Sequence, residues 1–572
     1  MSIEILQAQS IITMDPALPR ATAVAFDADT KKITAIGTLE QCQAAAPGAT
    51  VQDLGATVLM PGFVEPHSHP ILTGVVTQAP AYWIAPYIGY PTYSDVQNLW
   101  NKVDKEVAGQ TPVLFNGLDR LLQGAPELTN TELDVFFPDR PVAVLDNSGH
   151  EIYFNSATIK YLNWADAKPP ADPVGARYGR NADGTSNGRA YETGAVLAVA
   201  SPLMATAIPH PLQSSAKFYQ MLATYGITSV SEMTYNTGML KGYEALASAK
   251  DCPVRVSLFH MSINADAGDP LDSPISTDML HKQGIKLWAD GSPWVGTIAA
   301  SFPYLDNEIT QNAQIPIGPG GEAMMNYSRV ELDQVLARYA PMGWQFSFHV
   351  NGDIGLDIVL DAYEHALVAN KLLGTDHRWR VEHVGACRGD QFDRAASLGV
   401  GISLGVFQFI YWGDLLDGTM FPTEVGANWM RWGDAVKSGA TYSFHNDGSV
   451  SPPNVLLNMQ TAITRLSDSG TVHGPEQIIS LDDALKAQTI NAAHMLHRDD
   501  LVGSISVGKM ADFVELSMDP YMADPTKLAT QVKVQGTWLG GHKIDLDSFL
   551  SEITAIDPSE HANLATTQGK CC

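Results

Sequence analysis

From about residue 215 to residue 500, short apolar runs alternate with helical patterns, and this rhythm constrains the fold of the 572-residue chain more than any other feature. "FYQMLATYGITSVSEM" is a helix leading into a strand. "CPVRVSLFHMS", "GIKLWADGS", "WQFSFHVNG", "RWRVEHVGA", "GVGISLGVF" and "ATYSFHNDG" are further short strands, separated by helical stretches such as "IGLDIVLDAYEHALVAN" and "RGDQFDRAASLG". Parallel neighbours need a crossover, usually a helix, so alternation sustained over this length predicts an α/β fold with a parallel sheet or a (β/α)8 TIM-type barrel. The run "LMPGFVEPHSHP", residues 59–70, would supply the first barrel strand.

The chain is too long for a single core. Residues 3–60 read as short strands and turns, and residues 501–547 look alike. Neither end can bury a sheet face alone, so residues 1–60 and 500–550 are expected to pack as one small β-sandwich built from both termini. The barrel is expected over 61–74 and 211–499. Residues 75–210, rich in aromatics and proline ("QAPAYWIAPYIGYPTY"), break the rhythm and read as an insertion covering the barrel mouth. Residues 551–572 read as a tail ending in Cys571 and Cys572.

Charge narrows the partners. Lys and Arg number 35 against 62 Asp and Glu, a net −27. Such a surface argues against nucleic acid or an anionic membrane and leaves a small-molecule substrate as the expected partner, with a homodimer still open. No stretch approaches the length of apolar residues that spans a bilayer. Five cysteines, an odd number without a CxxC and widely spaced apart from the terminal pair, and an N-terminus without a basic leader point to a reducing, cytoplasmic setting.

On a strand, residues i and i+2 share a face, so Glu65, His67 and His69 project together. At the C-terminal end of a barrel strand they would open onto the active-site face. Alone, an HxH pair is equally well two solvent-facing histidines or one capped core histidine. Ligand-type residues recur, however, at the ends of later strands: Lys286 in "GIKLWADGS", His349 in "WQFSFHVNG", His383 in "WRVEHVGA" and Asp447 in "TYSFHNDGS". Each singly fits a core residue; together, at the same ends of strands, they fit a metal centre.

The order PGFxxxHxH, Lys in "KLWADGS", "HVNGD", "RVEH" and an Asp followed by "GSVSPPN", closing in "NAAHMLHRDDLVGSISVGKMADFVEL", resembles the amidohydrolase superfamily, in the family 3 branch that includes N-substituted formamide deformylases. The resemblance spans nearly the whole chain. It implies that His67 and His69 hold the more buried of two Zn2+ ions, that a carboxylated Lys286 bridges both, that His349 and His383 hold the second, and that Asp447 contacts the first and carries protons. It departs at Glu65, where many relatives have Asp, at Asn446, where many have Ser, and at "HVNGD". The implied activity is hydrolysis of the C–N bond of a small N-substituted amide with an apolar or aromatic group, with activated water as nucleophile and Asp447 as acid and base. Ester, lactone, carbamate or cyclic-imide hydrolysis and deamination stay open on the same site, as does a metal-poor relative that only binds a ligand.

Supporting positions follow. Asp353 is expected to fix His349, and His445 to orient Asp447 or to serve as a core histidine. Glu382 is expected to point away from His383 and pair with a basic residue. His150 lies in "DNSGHEIYFNS", which resembles a "DGHxxxxNS" segment of the family, and is expected at the mouth. Tyr82, Trp83, Trp294, Phe407 and Trp412 are expected to line an apolar pocket, and Arg189 to meet a substrate carboxylate. Cys387, four residues after His383, has no neighbour that makes a Cys–His nucleophile.

Overall fold

The structure, a computed structural model, describes residues 2–173 and 176–556, with His561 and Leu564. At its centre Phe63–Glu65, Ile227–Tyr235, Arg255–Met261, Leu280–Trp288, Gln345–Val350, Arg380–His383, Gly401–Leu404 and Tyr442–Phe444 pair in that order, each parallel to the next. Helices such as Asp353–Ala369 and Gly389–Leu398 fill the crossovers. Every residue of Ile227–Tyr235 and of Arg255–Met261 is buried. A parallel sheet is covered on both faces, so its strands carry runs of apolar residues rather than alternation.

Among the described residues no ladder returns from Tyr442–Phe444 to Phe63–Glu65, and side chains span this seam instead. The Gln488 carbonyl accepts from Val64 N at 2.9 Å, while Gln488 Nε2 donates to the Phe444 carbonyl at 2.7 Å. The Glu65 carboxylate accepts from Asn446 N at 3.1 Å and from Asn446 Nδ2 at 2.7 Å. Two of the three departures from the family pattern, Glu65 and Asn446, are therefore partners across the seam. Burial pushes the Glu65 carboxyl up to about 8, against the pull of its bonds to Asn446.

Both termini join in one eight-stranded mixed sheet, where two facing sheets were expected. The long strand Ile3–Ile12 is the reason. Its first half pairs with Thr50–Asp53, its second half with Val58–Leu59, and its other edge runs along Arg20–Asp27, so the pairing is continuous. The period of two still sorts its faces. Ile5, Ala23 and Ala25 pack with Cys42 of the helix Leu39–Ala45, while Leu6, Val24 and Phe26 pack with Phe513 and Trp538.

Between the first and second barrel strands the chain forms a separate six-stranded sheet, in the order Arg177–Arg180, Ser186–Tyr191, Glu151–Phe154, Val142–Asp146, Val113–Leu118, Tyr82–Trp83. It has two cores of its own, one around Trp100 and Phe115, the other around Phe154 and Val199. At the C-terminus the helix Leu546–Thr554 docks Phe549 and Ile553 into the main core, so residues 551–554 belong to the fold rather than to a tail. Cys571 and Cys572 lie outside the described residues. Cys42, Cys252 and Cys387 are buried thiols without a disulfide. Among the described residues no single helix is long and apolar enough to cross a membrane.

Candidate metal centre

The first strand ends at Glu65, and His67 and His69 follow it, with His69 preceding the helix Pro70–Thr77. His67 Nδ1 lies 2.9 Å from Glu382 Oε2, and His69 Nδ1 lies 3.1 Å from Thr234 Oγ1 and 3.4 Å from Glu232 Oε1. With the proton held on each Nδ1 by an oxygen, the Nε2 lone pairs are left for a cation. Asp447 Oδ1 sits 3.5 Å from His67 Nε2 and 3.3 Å from His69 Nε2. Lys286 Nζ is 3.5 Å from His67 Nε2.

The donors fall into two overlapping groups, His67 with His69 and Asp447, and His67 with His383 and His445, each with ligand atoms within 4.8 Å of one another. The His349 ring centre lies 4.5 Å from that of His383, which extends the cluster on one side. Burial and the Lys286 charge press His67 well below the usual imidazole range, and burial likewise presses His383 well below it and His349 to about 3. These imidazoles are neutral, as ligation requires. Burial works against protonated His69 too, but the bonds and charges of Asp447 and Glu232 outweigh it and lift His69 to about 9. Burial works to raise Asp447, yet the His69 hydrogen bond holds its carboxyl below the ordinary range. A protonated His69 against an ionised Asp447 marks where a dication would replace a proton. Clustered imidazoles plus a carboxylate fit a borderline cation such as Zn2+.

Glu382 does pair with a basic residue, Arg380, at 2.6 Å, but it faces into the barrel and also reaches His67 and Ser347. The expected face is inverted because alternation fails at the end of the strand. His349 pairs with Glu382 in register, so the two share a face, and His383 is turned back to the cluster by a left-handed φ of 69°. Asp353 does not hold His349. It accepts from Ser301 N at 2.8 Å and pairs with Arg388 at 2.9 Å, because it opens the helix Asp353–Ala369 and faces that helix's neighbours. The Gly291 carbonyl, 2.9 Å from His349 Nε2, and Asn351, 3.2 Å away, do that work. His445 touches His383 Nδ1 at 3.1 Å and Ser403 Oγ at 2.9 Å, and so belongs to the imidazole cluster.

A cavity of about 140 Å³ opens on these donors, and His150, Trp294 and Phe407 line it. Trp288, Asn351 and Gln408 complete much of its wall. Trp412 stands one layer back, stacked on Trp294 at 4.2 Å with its Nε1 donating to Asp119 at 3.1 Å. Tyr82 packs on Phe115 at 5.2 Å within the inserted sheet, and Trp83 pairs beside Asn116 on that sheet's edge strand, so neither lines the cavity. Arg189 also lies outside it, bound to the Leu128 carbonyl at 2.9 Å and ion-paired with Glu127. Sequence reasoning missed Glu232, Thr234, Asn351 and Ser403. For Glu232 a signal was present: an acid in the apolar strand "ITSVSEMTY".

A parallel barrel that gathers imidazoles and a carboxylate beyond the ends of its strands defines the class of metal-dependent hydrolases built on that fold. The chain belongs to the amidohydrolase family, whose model matches residues 50–544. It is 23% identical to the N-substituted formamide deformylase of Arthrobacter pascens over 86% of this chain and 89% of that one. Among solved structures it is similar to an uncharacterized metal-dependent hydrolase from Pyrococcus horikoshii OT3, with a TM-score of 0.70 and 20% identity over 92% of this chain and 99% of that one. A second such hydrolase, from Pyrococcus furiosus, gives 0.65 and 22%, over 92% of this chain and 100% of that one.

Proposed function

We propose that the chain hydrolyses the C–N bond of a small N-substituted amide, a formamide above all, bearing an apolar or aromatic group. The observation that carries this is the convergence of His67, His69 and Asp447 within 4.8 Å at the mouth of a barrel, beside Lys286. The family membership and the deformylase relative support the amide as substrate. His67, His69 and Asp447 would hold one Zn2+ and His349 and His383 a second, with Lys286 as a carbamate between them. A fully buried ammonium beside a neutral imidazole is a poor ligand, whereas a carbamate offers two anionic oxygens. Divalent cations bound there would acidify a water molecule and polarise a carbonyl oxygen.

Asp447 keeps its carboxylate ionised and 14% exposed, so it can take a proton from water and return it to the leaving nitrogen. His150 and Trp294 bound the cavity and orient the group that enters. Trp294 backed by Trp412 offers a rigid flat wall to an aromatic substituent. The buried thiols support a reducing, cytoplasmic setting.

The test is metal analysis and intact-mass measurement of CO2 on Lys286, followed by amine release from N-benzylformamide against 4-nitrophenyl esters. Amine release that stops on chelation and returns with Zn2+ is expected. Ester turnover without amide turnover would replace the amide with an ester, and turnover indifferent to chelation would end the metal proposal.

A further inference from the structure

The cavity on the metal donors, at about 140 Å³, is smaller than the roughly 300–1,000 Å³ of sites that enclose a whole organic ligand. A second cavity of about 590 Å³ adjoins it, between the inserted sheet and the barrel, with His150 common to the lining of both. One loop walls both: Ser292 to Trp294 face the first, Val295 to Thr297 the second. His150 faces both, with its ring 6.0 Å from that of His349.

We propose that this second cavity binds the end of the substrate remote from the scissile bond, and that its arginines select a substrate carrying a carboxylate there. The inference rests on the amide hydrolysis proposed above and names the substrate class within it.

Arg120, Arg177 and Arg189 all line the cavity. Arg177 lies at the exposed rim, its guanidinium 4.0 Å over the Tyr191 ring, a geometry that leaves its edge for a carboxylate. Arg189 is 2% exposed; its Nη1 ion-pairs with Glu127, while its Nη2 donates no hydrogen bond among the described residues, with Glu151 Oε1 3.8 Å away. A buried guanidinium nitrogen left short of an acceptor favours a ligand that supplies one. Three carboxylates oppose the three arginines, one of them the Glu127 that pairs with Arg189. Glu192 is engaged by His150 at 2.9 Å and Glu151 by Arg120 at 2.8 Å. Burial pushes Glu151 up to about 7, and among the described residues Arg177 is the arginine of the three without an ion pair, so the positive charge open to a ligand lies at the rim. The −27 surface repels an anion at long range, so any preference for one must come from contacts as short as these.

The test needs no turnover. Metal-loaded protein is titrated calorimetrically with 4-phenylbutyrate and with its neutral counterpart 4-phenylbutyramide. The acid is expected to bind at least about tenfold more tightly. That preference is expected to fall to near unity in Arg177→Gln and in Arg189→Lys, and to persist in His69→Ala, which disables the metal site. Equal binding of acid and amide overturns the proposal. So does a preference lost in His69→Ala but kept in the arginine variants, because the carboxylate would then sit on the cations. If Arg189→Lys fails to fold, Arg177→Gln decides alone. A protein that releases amine from formamides yet shows no acid preference refutes the second cavity only. One with an arginine-dependent preference and no amine release refutes the amide chemistry only.

Discussion

At the scale of single residues, the centre depends on what stands behind each imidazole. Glu232 accepts from Thr234 N at 2.8 Å and from Thr234 Oγ1 at 2.7 Å, and binds Tyr243, so its own position is fixed while it faces His69 Nδ1. A carboxylate in that place raises the basicity of the ligating nitrogen and locks the ring. Glu232→Gln keeps the size and the acceptor oxygen but removes the charge. It is expected to weaken metal binding about 10- to 100-fold by chelator competition, with the far-UV spectrum unchanged. Unchanged affinity would make Glu232 a packing residue. The ligands were legible in the sequence and this partner was not, for a physical reason. His67 and His69 stand two residues apart just beyond the end of one strand, so the sequence itself keeps them together, whereas Glu232 comes from a neighbouring strand whose register no spacing reveals. Glu382 was seen but turned the wrong way, because the inference assumed regular alternation through His383, where φ is 69°.

At the scale of elements, the inserted sheet is fastened to the barrel by a few buried polar groups. Asp119, at the end of the inserted strand Val113–Leu118, accepts from Leu122 N at 2.8 Å and from Trp412 Nε1 at 3.1 Å. Through Trp412 it braces Trp294 in the cavity wall. Burial pushes Asp119 up to about 7, while an unfolded chain titrates it near the ordinary 3.8. Between these values the folded state keeps a proton that the unfolded state releases. Its contribution is therefore full below about pH 4 and is lost as pH rises through about 7. Asp119→Asn cannot ionise and gives up the Trp412 bond, a loss of about 1 kcal/mol at all pH values. Thermal midpoints at about pH 5 and about pH 8 are expected to show the wild type losing more on the alkaline step than Asp119→Asn. Parallel slopes would mean that Asp119 is already ionised in the fold. The barrel strands were legible because burial on both faces writes apolar runs into the sequence. The seam was not, since Glu65 and Asn446 meet only after the strands between them have closed the barrel. Nor was the cavity lining. Tyr82 and Trp83 carry the same composition as Trp294, and only the path of the inserted sheet decides which ring faces the cavity.

At the scale of the whole molecule, the terminal sheet is coupled to the metal centre through a shared strand and a buried ion pair. Val58–Pro61 pairs with Phe513–Leu516, Gly62 N donates to the Asp512 carbonyl at 3.1 Å, and His67 follows five residues later. Arg255, on the third barrel strand, reaches the Asp512 carboxylate through Nε at 2.6 Å and Nη2 at 2.9 Å, and both side chains are almost wholly buried. Asp512 also accepts from Gly540 N at 2.7 Å, which draws in the turn after Val534–Leu539. Removing one member of a buried pair strands the other charge and costs about 3–5 kcal/mol, whereas removing both avoids that penalty. Asp512→Asn keeps an oxygen for Gly540 but leaves the Arg255 cation without its counter-charge; Arg255→Met with Asp512→Asn leaves no charge at all. The fitting measurement is amide exchange of Phe513–Leu516, which reports the opening of the sheet itself. Exchange is expected to speed most in Asp512→Asn and to recover substantially in the double variant, with a coupling above about 1 kcal/mol between the two positions. Metal retention on heating should follow the same order, because the strand that loosens leads directly into His67. Additive effects, or exchange that speeds while the metal stays in place, would show that the sheet and the centre are held independently.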